Sequence, residues 1–168
     1  SDHDLDYPTF LLTRWETSIG EESELEIFGP PPTVKFTEKL INIDYGAFAH
    51  DLIARTNHPL SLNSFKRRGG KLPRKLPSFK PNDIFPGDTI KREGWTVKSD
   101  LAEHVEPFLD SLAYRLEVEG KSIVFTGDTR PCKTVEKLAY KADYLICLCI
   151  ALQDQIDGTP EADYMMGH

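Results

Sequence analysis

The stretch Ser111-Leu-Ala-Tyr-Arg-Leu-Glu-Val-Glu-Gly120-Lys-Ser-Ile-Val-Phe-Thr-Gly-Asp-Thr129 decides the fold. Ser111 to Glu119 reads as a strand, Gly120-Lys121 as a tight turn, and Ser122 to Thr126 as the hairpin partner. The second strand runs into Gly127-Asp128-Thr129, which delivers a carboxylate to the edge of a sheet. Gly127 permits the sharp bend there, and Thr129 can hydrogen-bond the backbone or the carboxylate. Taken alone, Gly-Asp-Thr also fits an ordinary Asx-turn.

Working outward, Gly94 to Ser99 alternates as a strand, and Cys132 to Lys141 reads as a helix. Tyr144 to Ile150 is apolar without alternation, as expected of a strand covered on both faces. Upstream, Leu5 to Ile19 has helical spacing at Phe10, Leu11, Leu12 and Trp15, with Asp6 as cap and Pro8 in the first turn. Glu24 to Phe28 reads as a strand stopped by Gly29-Pro-Pro-Pro32, and Thr33 starts a helix to about Ala47. Strands and helices interleave, so the class is α/β, in layers.

Composition bounds the function. The 168 residues carry a net charge of −7, with 39% hydrophobic and 28% charged residues, and suit one domain over 1–168. Gly and Pro total 23 without a period, which excludes collagen-like and low-complexity chains. No apolar run reaches the roughly 18 residues of a membrane span, so no membrane partner is expected. Three cysteines without a CxxC exclude a disulfide scaffold and a cysteine zinc finger. The thiols are expected reduced and structural, with Cys147 and Cys149 buried on one strand face, and the compartment cytoplasmic. His50 and His58 flank a short helix and are read as surface residues.

Leu52 to Asn82 contains no acid and eight bases, a net +8 that leaves −15 for the remainder of the −7 chain. With Gly69-Gly70 and four prolines it is expected as a long extended loop. The Lys66 to Lys80 portion is a candidate contact for nucleic acid, with Phe65 and Phe79 as stacking surfaces. The competing reading pairs these bases with the acids of the same protein or of a dimer partner.

Asp2-His3 before the first helix, and His104 seven residues ahead of Ser111, are weak signals singly. An aspartate there is an ordinary helix cap, and a loop histidine is ordinarily solvated. In the order Asp2-His3, His104, Ser111-Leu-Ala-Tyr-Arg115, Gly127-Asp128-Thr129, Ala142-Asp143-Tyr-Leu-Ile-Cys147, the chain resembles the metallo-β-lactamase superfamily, most closely its ribonuclease Z-like branch. The resemblance implies an αββα sandwich, cut from a longer chain at both ends, since no initiator Met opens it. It also implies a site at one edge of the two sheets holding two divalent ions, zinc first, with manganese or iron as alternatives.

Carried over residue by residue, Asp2 and His3 match the end of an HxHxDH loop and would bind one metal. His104 would bind the other, and Asp128 would bridge the two. Asp2 would also handle the proton of the nucleophile, and His168, in Gly167-His168, would protonate the leaving group. The activity implied is hydrolysis of an ester, sulfate ester or phosphodiester by metal-activated water. A small-molecule ester-type substrate and a homodimer are the expected partners. Two alternatives stand beside it: a non-catalytic binding protein that keeps the fold, and a tRNA 3′-processing endonuclease. The chain departs from the family pattern in lacking the first two histidines of HxHxDH and the last ligand histidine. It also carries Cys147-Leu148 where ribonuclease Z enzymes carry His-Glu.

Overall fold

The computed structural model describes residues 2–19, 21, 23–148, 155, 157–160 and 162. They fall into two compact units, one of residues 1–28 and 32–82, the other of residues 29–31 and 83–168.

The first unit opens with a 3-10 turn, Asp2–Asp4, and helix α1, Asp6–Ser18. Asp6 lies inside the first turn of α1 rather than capping it; Leu5 holds the cap position without a side-chain hydrogen bond. The negative charge of Asp6 therefore acts on the positive end of the helix instead. Leu11 and Trp15, four residues apart, form the buried stripe. Strand β1, Leu25–Gly29, pairs with β2, Phe79–Asp83, in a two-stranded sheet.

Helix α2, Thr33–Ile41, ends six residues before the expected Ala47. Asn42 stops it: its side-chain oxygen accepts the Asp44 amide at 2.8 Å and offers the backbone a turn in place of another helical bond. The chain then folds back, with the Gly46 amide on the Asn42 carbonyl and the Ala47 amide on the Lys39 carbonyl, both at 2.7 Å. A Cβ on Gly46 would lie 2.5 Å from the Asn42 carbonyl oxygen and 2.6 Å from its nitrogen. Both are backbone atoms that cannot swing aside, so Gly46→Ala is expected to cost about 1–3 kcal/mol in urea unfolding.

The basic stretch is not an extended loop. It holds most of α3, Ala49–Asn57, and all of α4, Pro59–Arg67, and only the segment between α4 and β2 lacks regular structure. Buried Ala49, Leu52 and Phe65 give the two helices an apolar face, and Pro59 suits the first turn of α4. Part of its positive charge turns inward. Arg55, at 3.3 Å, Arg74, at 2.6 Å, and Arg68 all reach the carboxylate of Glu16 on α1. The Arg74 guanidinium lies 4.1 Å from the ring centre of Trp15 and 4.7 Å from that of Phe65. Lys80 pairs with Glu26 across the two strands at 3.3 Å. His50 and His58 are exposed, as expected.

Burial pushes the Glu16 carboxyl up, but hydrogen bonds from Arg74 and Arg68 and their charges outweigh it and hold it below the usual glutamate range. A carboxyl depressed in the folded state contributes stability that is complete above its unfolded pKa, about 4.3. That contribution disappears as pH falls through the lowered folded value. Unfolding free energies measured from pH 6 down to pH 3 are therefore expected to fall more steeply in the wild-type protein than in Glu16→Gln.

The second unit is a five-stranded sheet in the order β3-β4-β5-β6-β7. The strands are Thr89–Arg92, Trp95–Leu101, Leu112–Val118, Lys121–Phe125 and Tyr144–Ile146. β3 to β6 are antiparallel and β7 runs parallel to β6. Strand β3 has no counterpart in the sequence reading; its polar Thr-Ile-Lys-Arg run carries no alternation to find it by. The hairpin turn lies at Glu119-Gly120, one residue earlier than expected, because Lys121 already pairs with Val118. Both turn residues have positive φ, 50° and 73°, as a two-residue hairpin of type I′ requires.

Helix α5, Lys133–Ala139, packs on β4 and β5. Val124, Ala113, Ala102 and Leu138 form the core, with Val135, Ala139 and Ala142 against it. Arg115 on β5 donates to the carbonyls of Leu138 and Tyr140 at 2.8 and 2.9 Å, fastening the end of α5.

The expected burial of Tyr144 to Ile150 is not found over its described part, residues 144–148. The described strand is three residues long, with Tyr144 61%, Leu145 53% and Ile146 50% exposed. β7 is the last strand of the sheet, and α5 covers β4 and β5 instead. Cys147 is likewise exposed, and Cys149 lies outside the described residues. Cys132 is buried, as expected. Among the described residues no helix is long and apolar enough to cross a membrane.

Candidate functional site

β4 and β6 both run antiparallel to β5, so their C-terminal ends leave the sheet on the same side. β7, parallel to β6, ends there too. His104 follows β4 and Asp128 follows β6, so the topology brings these two donors to neighbouring loops.

Hydrogen bonds hold the loops against each other. The Glu103 amide donates to Thr129 Oγ1 at 3.0 Å, and the Arg130 amide donates to the Glu103 carbonyl at 3.0 Å. The Arg130 guanidinium adds an ion pair to Glu103 at 2.9 Å and one to Glu106 at 3.4 Å. The residue next to each proposed ligand is thus pinned to the other loop. Of the two options open to Thr129, the backbone is the one it takes.

The Asp128 turn is fixed from behind as well. Thr126 is buried, and its amide donates to the Ile146 carbonyl at 3.1 Å, extending the β6–β7 pairing to the foot of the turn. Gly127 sits at φ 61°, a left-handed conformation that glycine enters at little cost. Val105, at φ 61°, gives the loop after His104 a bend of the same hand. Beneath the turn, Thr134 Oγ1 donates to the Leu101 carbonyl at 2.7 Å, tying the start of α5 to the end of β4. Burial pushes the Cys132 thiol up. Hydrogen bonds to Thr134, the Val135 amide, Thr129 and the Glu103 backbone outweigh that and set it below the ordinary thiol value.

At the other edge of β6, Asp143 accepts the Ser122 amide at 2.8 Å and the Lys121 ammonium at 3.0 Å. The Lys121 bond, then those from Ser122, hold its carboxyl below the usual aspartate range. These bonds start β7 in register with β6, and so set where Thr126 meets Ile146.

The remaining predicted site residues are placed as follows. Asp2 and His3 lie in the 3-10 turn of the first unit, with His3 exposed. His168 lies outside the described residues. The residues missed by sequence reasoning are Glu103, Thr126 and Arg130, which position the two loops. Their signal was adjacency to His104 and Asp128, but their partners lie up to 27 residues away.

Imidazole and carboxylate are donor types that first-row divalent ions accept. Among the described residues no three His, Cys, Asp or Glu side chains converge, whereas a protein zinc centre uses three or four. The donor chemistry of His104 and Asp128 is of a kind that fits a divalent ion.

No family model matches the chain. It is similar to a putative ribonuclease Z of Mycobacterium tuberculosis (strain CDC 1551 / Oshkosh), 29% identical over 147 residues, which are 87% of this chain and 58% of that protein. It is also similar to a ribonuclease Z of Mycobacterium sp. (strain KMS), 28% identical over 161 residues, 96% of this chain and 50% of that protein. The crystal structure of the metallo-β-lactamase fold protein YhfI from Bacillus subtilis matches 92% of this chain and 47% of that one, with a TM-score of 0.57 at 16% identity. The chain has a metallo-β-lactamase fold and is similar to ribonuclease Z proteins. It spans about half the length of the curated relatives it matches.

Proposed function

We propose that this chain is part of a metal-dependent hydrolase of the ribonuclease Z-like kind, acting on an ester, sulfate ester or phosphodiester. The observation that carries the reading is the cross-bonding of the His104 and Asp128 loops through Glu103, Thr129 and Arg130. His104 and Asp128 would hold metal, and Asp2 and His3 would add further ligands. When bound, two divalent ions, zinc first, supply an activated water at neutral pH and polarise the scissile oxygen. Glu103, Thr126, Thr129 and Arg130 fix the backbone that aims the ligands. Asp2 would handle the proton of the nucleophile, and His168 that of the leaving group. A cytoplasmic location and a homodimer belong to the same reading.

Metal analysis of the longest natural form of the polypeptide tests this, beside Asp128→Ala. About two transition-metal ions per chain are expected, falling in the variant. No metal in either protein would replace the hydrolase with a binding protein that keeps the fold.

The names of the relatives favour a second, narrower reading, a phosphodiesterase acting on precursor tRNA. Cys147-Leu148 in place of a His-Glu pair argues against it, since leucine carries no proton and orients no histidine. Absence of binding to a precursor tRNA at low salt would remove that reading and leave the hydrolase intact.

A further inference from the structure

The first unit contains a cleft of about 280 Å³ with no role in the reading above. Glu16 of α1, Arg55 of α3, Ser61, Ser64 and Arg68 at the face and end of α4, and Arg74 line it. Three arginines against one glutamate give these residues a net charge of +2. The spacing 61, 64, 68 puts both hydroxyls and Arg68 on one side of α4.

Arg74 makes the floor. Its side chain is only 2% exposed and its guanidinium is stacked between Trp15 and Phe65, so the charge cannot swing out to water. Its Nε is buried and has no hydrogen-bond partner. Buried N–H groups without an acceptor are rare in folded proteins. Neither the Ser61 nor the Ser64 hydroxyl forms a hydrogen bond among the described residues. Arg55 and Arg68 are partly exposed, with side chains 43% and 36% accessible, and are the outer cations of the cleft; Arg55 also pairs with Asp51 at 2.7 Å. The cleft therefore combines a buried cation, two partly exposed cations and two hydroxyls without a hydrogen bond among the described residues. That set matches a tetrahedral oxyanion, which takes several N–H and O–H donors at once. Glu16 already accepts from all three arginines and Asp51 from Arg55, but these two carboxylates leave other guanidinium N–H groups, the Arg74 Nε among them, without a partner among the described residues.

We propose that this cleft binds a phosphate group, free or carried on an RNA backbone, on Arg55, Arg68 and Arg74 with Ser61 and Ser64. The Glu16 carboxylate then competes for the same guanidinium groups and sets the affinity.

Calorimetric titration with inorganic phosphate and with a short single-stranded oligoribonucleotide tests this. It is run on the longest natural form of the polypeptide, with a chelator present and chloride matched for ionic strength. The chelator keeps phosphate off any metal centre, so the outcome is independent of the hydrolase reading. Saturable binding is expected, weakened about tenfold or more in Arg68→Gln and in Arg55→Gln. Glu16→Gln is expected to tighten it, because the internal competitor is gone. Binding of phosphate itself identifies the free anion as ligand; binding of the oligonucleotide alone, with the same response to the variants, identifies the backbone. If neither binds at millimolar concentration, or if Arg68→Gln and Arg55→Gln leave the affinity unchanged, the proposal is overturned. Should Glu16→Gln fail to fold by circular dichroism, the two exposed arginine variants decide alone.

Discussion

Asp128→Ala is expected to lower hydrolytic turnover by more than about a hundredfold while the protein stays folded. Removing a residue that merely supports a metal ligand typically costs about 10–100-fold, so losing Asp128, proposed as a ligand itself, should cost more. The fold should survive because the turn is fastened by its neighbours. The Thr126 amide holds Ile146, Thr129 holds the Glu103 amide, and Arg130 holds Glu103 through backbone and side chain. Unfolding free energy should stay within about 1 kcal/mol of wild type. Turnover on a panel of generic esters and phosphodiesters, with circular dichroism on the same samples, makes the comparison. Full activity in the variant would remove Asp128 from the metal shell.

Trp15→Ala is expected to have the largest effect on stability, a loss of about 3–5 kcal/mol. Trp15 is 2% exposed and is among the largest fully buried side chains. Its truncation leaves a cavity beside Arg74. It also strips the Lys75 carbonyl of the indole N–H that donates to it at 3.0 Å, and removes one of the two rings that hold Arg74. Urea unfolding followed by circular dichroism measures the loss. A change under about 1 kcal/mol would mean that the ring is not what holds Arg74 and α1 in place.

The hairpin of β5 and β6 was legible because alternation and a glycine turn are local signals. Even so, Glu119-Gly120 and Gly120-Lys121 are both acceptable turn dipeptides. The pairing of Val118 with Lys121 across the strands chose between them. The basic stretch misled for a physical reason. Eight bases without acids describe the solvent-facing and Glu16-facing sides of the stretch, and say nothing of the apolar side of α3 and α4. Only the burial of Leu52 and Phe65 shows that side to exist. β7 misled in the other direction. An apolar run predicts two covered faces, and the described strand has Tyr144, Leu145 and Ile146 more than half or half exposed at the sheet edge.

The candidate site divides along the same line. The sequence by itself determined which donors are present, His104 and Asp128, and that each follows a strand, because residue type and strand periodicity are properties of short segments. It also determined, through Gly127, that the chain can bend sharply after β6. Only the tertiary structure decided that the two donors share one end of the sheet. That follows from β4 and β6 flanking β5 in opposite sense to it, a pairing between segments that are remote along the chain. Likewise, the clasp of Glu103 by Thr129 spans 26 residues, and the gathering of Arg55, Arg68 and Arg74 on Glu16 spans 39 to 58. Hydrogen bonds and ion pairs act over a few ångströms of space, and separation along the chain does not tell which distant groups folding will bring within that reach.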